Sequence, residues 1–154
     1  MNKNKIYPEN ETRLIHADDI LRYISGGRGV VKLEAPSGNC HYYVFRRPVN
    51  PSKFPDDVLF VYALHDFEKE FYLGMIERGQ FRLTSNSRFL PDTDIVKGAY
   101  YIIRMAKSDT FTNKSPMKLY HEGMCSVCGR PLTDHDSLHV GLGRSCKKKV
   151  KLIW

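Results

Sequence analysis

Val30-Val31-Lys32-Leu33-Glu34-Ala35-Pro36-Ser37-Gly38-Asn39-Cys40-His41-Tyr42-Tyr43-Val44-Phe45-Arg46 reads as two β-prone runs joined at a turn. Val30 to Leu33 and Cys40 to Arg46 are rich in β-branched and aromatic residues, and Pro36-Ser37-Gly38-Asn39 between them is turn chemistry. The pair is therefore expected to form a hairpin. Period-two alternation puts His41, Tyr43 and Phe45 on one face of the second strand, and Tyr42, Val44 and Arg46 on the other. Downstream, Val58 to Leu64, Phe71 to Ile76 and Phe81 to Thr84 repeat the pattern between polar breaks. Five strands in meander order predict an antiparallel sheet.

Helical signals flank the sheet. Residues 17–25 carry Asp18 and Asp19 in a first turn and are stopped by Gly26-Gly27. Asp92-Thr93-Asp94 caps a second helix over residues 93–107, whose Ile95, Ala99, Ile102, Ile103 and Ala106 form an apolar stripe that should cover one sheet face. The class is thus α+β: an antiparallel sheet of about five strands over residues 30–84, a short N-terminal helix and a covering helix. Residues 1–107 form the expected first domain. Polar residues of 108–118 read as a linker, and 119–154 as a small zinc-knuckle or treble-clef-like module.

The 154 residues suit one ordinary domain, or a small domain with a zinc appendage, and 42% apolar content can fill a core. No apolar run is long enough for a membrane span. The opening Met1-Asn2-Lys3-Asn4-Lys5 leads into polar sequence rather than a leader, so a reducing cytoplasm is expected.

Three of the four cysteines, Cys125, Cys128 and Cys146, fall in one short segment. A Cys-x-x-Cys pair places two thiolates on one ion from a tight turn, Gly129 lets backbone N–H groups face the sulfurs, and Cys146 closes the site. A thioredoxin-type redox pair would leave Cys146 unexplained and would need a helix where Gly129-Arg130-Pro131-Leu132 stands. A disulfide would need an oxidising compartment. The spacing therefore points to Zn2+. The position one turn after Cys146 is Lys149, which has no lone pair while protonated. Candidates for the fourth ligand are His121, His135 and His139. Cys40, in a predicted strand, reads as a buried small hydrophobe.

Five basic residues and no acid lie between Arg144 and Trp154, so most of the +7 net charge is local to this segment. Arg144, Lys147, Lys148, Lys149 and Lys151 would splay from a short helix that packs Val150 and Ile153 inward. Such a face suits phosphate contact by counterion release, and equally a solvated helix surface. Aromatics interleaved with cations on the sheet suit base stacking, although one face must be core. There is no P-loop, dinucleotide fingerprint, nucleophile elbow or His-Glu-x-x-His. His121-Glu122 lacks the spacing a deaminase needs. A zinc-scaffolded nuclease using Asp134, His135 or Asp136 lacks its full constellation, so no catalysis is expected.

The order His121-Glu122-Gly123-Met124-Cys125-Ser126-Val127-Cys128-Gly129-Arg130-Pro131-Leu132-Thr133, then Ser137, then Gly141-Leu142-Gly143-Arg144-Ser145-Cys146 resembles a domain-of-unknown-function family common in bacteriophages, plasmids and actinobacterial mobile elements. Similar proteins carry a Gly-Gly turn, as at Gly26-Gly27, and a Tyr-x-Gly-x-Ile-like strand, as at Tyr72 to Ile76. They then have a Phe-basic-x-Thr run, as at Phe81 to Thr84, followed by Ser87-Arg88, so the resemblance is expected over about residues 22–150. It implies Cys125, Cys128 and Cys146 as zinc ligands and favours His121 as the fourth. Gly143-Arg144 stands where such proteins have Gly-Pro, which adds charge at the site. No activity is implied, only a phage or mobile-element setting in the cytoplasm of a bacterial host cell. The resulting expectation is a non-catalytic zinc protein that contacts nucleic acid or a host nucleoprotein complex through its basic C-terminal face, without a membrane partner. The alternative is a protein–protein module that inhibits a host enzyme or a host defence complex.

Overall fold

The computed structural model describes residues 12–154 apart from Asp56, Phe67, Asp109, Thr110 and Asn113. Residues 1–11 of the expected first domain, and Asp109, Thr110 and Asn113 of the expected linker, lie outside the described residues. The elements run β1 (Arg13–Leu14), α1 (Ala17–Ser25), β2 (Arg28–Glu34), β3 (Cys40–Arg46) and a 3-10 turn (Pro51–Lys53). They continue through β4 (Leu59–His65), β5 (Lys69–Glu77), β6 (Gln80–Arg82), α2 (Asp94–Lys107), β7 (Lys118–His121), α3 (His135–Val140) and α4 (Arg144–Lys149).

The opening hairpin forms as its residues dictate: Val30 faces Val44, Glu34 faces Cys40, and Ala35 donates to the Asn39 carbonyl at 2.9 Å across the turn. The α+β class and the antiparallel pairing hold, but the sheet has seven strands rather than five, in the order β1-β7-β2-β3-β4-β5-β6. The two extra strands span two and four residues. Neither is long enough to show an alternation, and each exists through partners far away in sequence: Arg13 pairs with Tyr120, and Lys32 with Tyr120 on its other side. The expected start of a separate zinc module at 119 is therefore a strand between β1 and β2. The expected linker is also not bare connection, because Phe111 is buried and Met117 packs on the core.

Both long helices lie on the face of Val31, Leu33, Tyr43, Phe45 and Val61, where they complete one apolar cluster with Ile20, Ile24, Ala99, Ile102 and Ala106. The stripe of α2 is rotated slightly from the expected one: Val96 is buried while Ile95 is only partly covered. Tyr43 explains the fit, since its hydroxyl donates to the Ile95 carbonyl at 2.7 Å. A side chain at Gly98 would sit 2.2 Å from that hydroxyl, so only glycine lets α2 close on the sheet here. The opposite face carries Tyr42, Val44 and Arg46 of β3 beside Leu64, Tyr62 and Phe60 of β4.

Residues 150–154 return to this body. The expected helix through Ile153 ends at Lys149, and Val150 is extended and half-buried. Ile153 is buried as anticipated, and its N–H donates to Ser25 Oγ at 3.2 Å. Arg47 links the same region by donating to the carbonyls of Ser25 at 2.8 Å and Lys151 at 2.7 Å. Among the described residues no helix is long and apolar enough to cross a membrane.

Candidate metal centre and cationic face

The knuckle is a short hairpin held by backbone bonds. Cys125 donates to the Arg130 carbonyl at 2.9 Å, Gly129 donates back to the Cys125 carbonyl at 2.9 Å, and Met124 bridges Pro131. Gly129 takes a φ of +77°, which turns the chain back under the sulfurs. Two anchors fix this hairpin to the fold: Arg28 N–H donates to Ser126 O at 2.9 Å, and Ser126 N–H donates to Gly141 O at 3.2 Å. Arg28 also donates from its guanidinium to the Cys128 carbonyl at 3.0 Å. Between α3 and α4 the chain turns at Gly141 to Gly143, and Gly143 N–H points at Cys125 Sγ at 3.4 Å. One turn into α4 stands Cys146.

The sulfurs of Cys125, Cys128 and Cys146 all lie within 4.8 Å of one another. Cys125 is buried, Cys146 half-buried and Cys128 exposed. Burial pushes the Cys125 thiol up, yet N–H groups of Cys128, Gly143 and Val127 outweigh it and draw the group down. Cys146 is pushed up to about 11, first by burial and then by the other two sulfurs. Three sulfurs this close do not share negative charge without a cation, and an ion among them reverses that penalty. The donor set fits a metal ion, with soft thiolate ligands on a turn-plus-helix frame.

His121 does not join them. It is fully buried at the end of β7, stacked on Tyr23 with ring centroids 5.4 Å apart. Its Nδ1 accepts the Gly123 N–H at 2.9 Å, and its Nε2 bonds the Leu138 carbonyl. A ring that accepts at Nδ1 must donate at Nε2, so it is the neutral tautomer and has no lone pair left for a metal. Burial lowers its pKa from 6.5 to about 4. The expected ligand is thus a bolt joining β7, the knuckle and α3. His135 is exposed at the start of α3, and His139 lies near His16 and Asp19 rather than the sulfurs. Among the described residues the sulfur cluster has three members. Cys40 is not the buried hydrophobe expected: it is half-buried at the start of β3, with its thiol on the Gly38 carbonyl at 3.4 Å.

Residues 119–151 match the model of a family described as a family of unknown function (DUF6011). No curated protein and no solved structure is similar to the chain. The matched segment takes in Leu119 to His121 of β7, the knuckle, α3 and α4. It leaves out β2 to β6, over which the resemblance was expected to extend.

Arg144, Lys147, Lys148, Lys149 and Lys151 are all exposed, and α4 buries none of its residues. Arg144 lies 3.8 Å from Asp134, the cap of α3. The three consecutive lysines occupy the last turn, where they also complement the helix dipole. The opposite sheet face adds a second group. Phe54, Phe60, Tyr72 and Tyr62 form a chain of edge-on ring contacts, the Arg46 guanidinium lies 5.1 Å from the Tyr62 ring centre, and Lys32 lies over Tyr120. Arg46 is held there by a two-pronged pair with Glu70 at 2.7 Å. Of the two faces weighed for base stacking, the one bearing Tyr43 and Phe45 is core, and on the one bearing Tyr42 and Arg46 those two residues and Tyr62 are half-buried while Val44 is buried.

Proposed function

We propose that this chain is a non-catalytic zinc-binding protein that contacts nucleic acid, alone or within a nucleoprotein complex, through the face of Arg144, Lys147, Lys148, Lys149 and Lys151. The observation that carries this reading is the attachment of the cations to the sulfur cluster. Cys146 lies inside α4 and Gly143 caps it, so an ion on the cysteines would fix the helix that bears the charges. Zinc is the assigned ion because thiolates on a knuckle suit it and hard cations prefer oxygen. Phosphates would meet the lysines, and the aromatics beside Arg46 would offer a second surface for unpaired bases. The resemblance noted above supports a phage or mobile-element setting inside a bacterial cell as part of this reading.

The test is fluorescence anisotropy of the zinc-loaded protein with single-stranded and duplex oligonucleotides over a salt series. Full use of the five cations gives a slope of log K against log salt of roughly −3.5 to −4.5. Each Lys→Ala change should lower the slope by about one contact. Absence of binding at low salt, or affinity indifferent to all five substitutions, overturns the proposal. Nuclease-resistant capture of one defined host protein would instead support an inhibitory protein–protein module.

A further inference from the structure

Away from the cysteines, α1 and α3 bring together His16, Asp19 and His139, whose ligand atoms lie within 4.8 Å of one another. His16 is the residue that precedes α1, Asp19 lies in its first turn, and His139 sits in the last turn of α3. The two imidazoles meet edge to face with ring centres 6.5 Å apart. Asp19 is the unusual member. It is only 8% exposed, at the point where both imidazoles approach it. In proteins a buried carboxylate is met by hydrogen bonds, by pairing or by a metal. Here the groups facing it are two imidazoles, a side chain that commonly ligates metal through a ring nitrogen.

We propose that His16, Asp19 and His139 form a second metal site, distinct from the cysteine cluster, that takes a divalent transition-metal ion. A triangle with 4.8 Å sides holds its centre about 2.8 Å from each corner. Zinc–nitrogen and zinc–oxygen bonds of about 2.1 Å need less than about 1 Å of movement per side chain. His16 is exposed and can supply that movement. Two imidazoles and one carboxylate make a nitrogen and oxygen set with positions left for water, unlike the sulfur set of Cys125, Cys128 and Cys146. The ion would bridge α1 to α3, and so tie the matched segment to the helix that underlies the sheet.

The experiment is stepwise Co2+ titration of untagged, chelator-stripped protein, followed by Zn2+ loading and elemental analysis after desalting. The first equivalent should raise the thiolate-to-cobalt charge-transfer band. The second should add visible absorption without further charge transfer, and zinc-loaded protein should retain two ions per chain. His16→Ala, Asp19→Asn and His139→Ala should each retain one ion with the thiolate band intact. His16, being exposed, keeps the test valid if Asp19→Asn misfolds. A wild-type chain that saturates at one ion, or a second ion that survives in His16→Ala and His139→Ala, overturns the proposal.

Discussion

Replacing His121 by Gln tests the reading of that residue as a buried neutral bolt. In the native fold its pKa is about 4 rather than 6.5, because burial disfavours the imidazolium by more than the bond to the Leu138 carbonyl favours it. A group whose folded pKa is depressed contributes stability above its unfolded value and loses it as pH falls toward the folded one. His121 therefore contributes fully above about 6.5, and its contribution declines between 6.5 and 4. By linkage, the loss between about pH 8 and about pH 4.5 is roughly 2.5 kcal/mol. Gln does not titrate, keeps a donor for the Leu138 carbonyl and leaves the Gly123 N–H unpaired, so it should cost about 1 to 2 kcal/mol near neutrality. Urea unfolding of both zinc-loaded proteins by far-ultraviolet circular dichroism isolates the effect, because acid loss of metal from the thiolates is common to both. The stabilities should converge as pH falls, and cross before about pH 4.5. A gap that stays constant across this range refutes the argument. Zinc loss on His121→Gln at neutral pH would restore the residue as a ligand.

Cys125→Ser or Cys146→Ser should release the ion from the sulfur cluster and free α4, read as loss of the cobalt charge-transfer band and of hydrogen-exchange protection from Gly141 to Lys149. Because β7 is an inner strand, the same variants should also loosen the β1–β7–β2 edge, which exchange at Leu119 to His121 would report. Gly98→Ala should destabilise by about 1 to 2 kcal/mol in thermal or urea melts, although alanine is usually the better helix former. The new methyl displaces the Tyr43 hydroxyl from Ile95, and Tyr43→Phe alone should recover much of that loss in the double variant. Cys40→Ala should leave bound metal unchanged by elemental analysis, since its thiol faces Gly38 and not the other sulfurs.

Much of the sheet was legible because alternation and turn chemistry are local. Cys40 to Arg46 was placed to the residue, and residues 17–25 match α1. β1 and β7 were not legible, since four residues or fewer carry no period and their pairing depends on chain segments far apart. The three cysteines were legible from spacing, which constrains where thiolates can reach. His121 illustrates the limit of spacing: it told where the ring stands along the chain, and nothing about which groups meet its two nitrogens. His16, Asp19 and His139 come from separate segments, and no local pattern joins them. Only the packing of α3 against α1 does so.

The position of β7 governs when the fold can be completed. β2 to β6 pair with immediate neighbours, so those hairpins need little loop closure and can form early. Among the described residues β1 pairs only with β7, which lies about a hundred residues later, and must wait for that strand before it has a place in the sheet. During synthesis the edge of β2 stays open until Lys118 to His121 leave the ribosome, and the cysteines follow directly behind. Closure of the sheet and assembly of the sulfur cluster thus both come late, and a nascent chain arrested before them would present an unpaired β2 edge to chaperones or to another copy of itself.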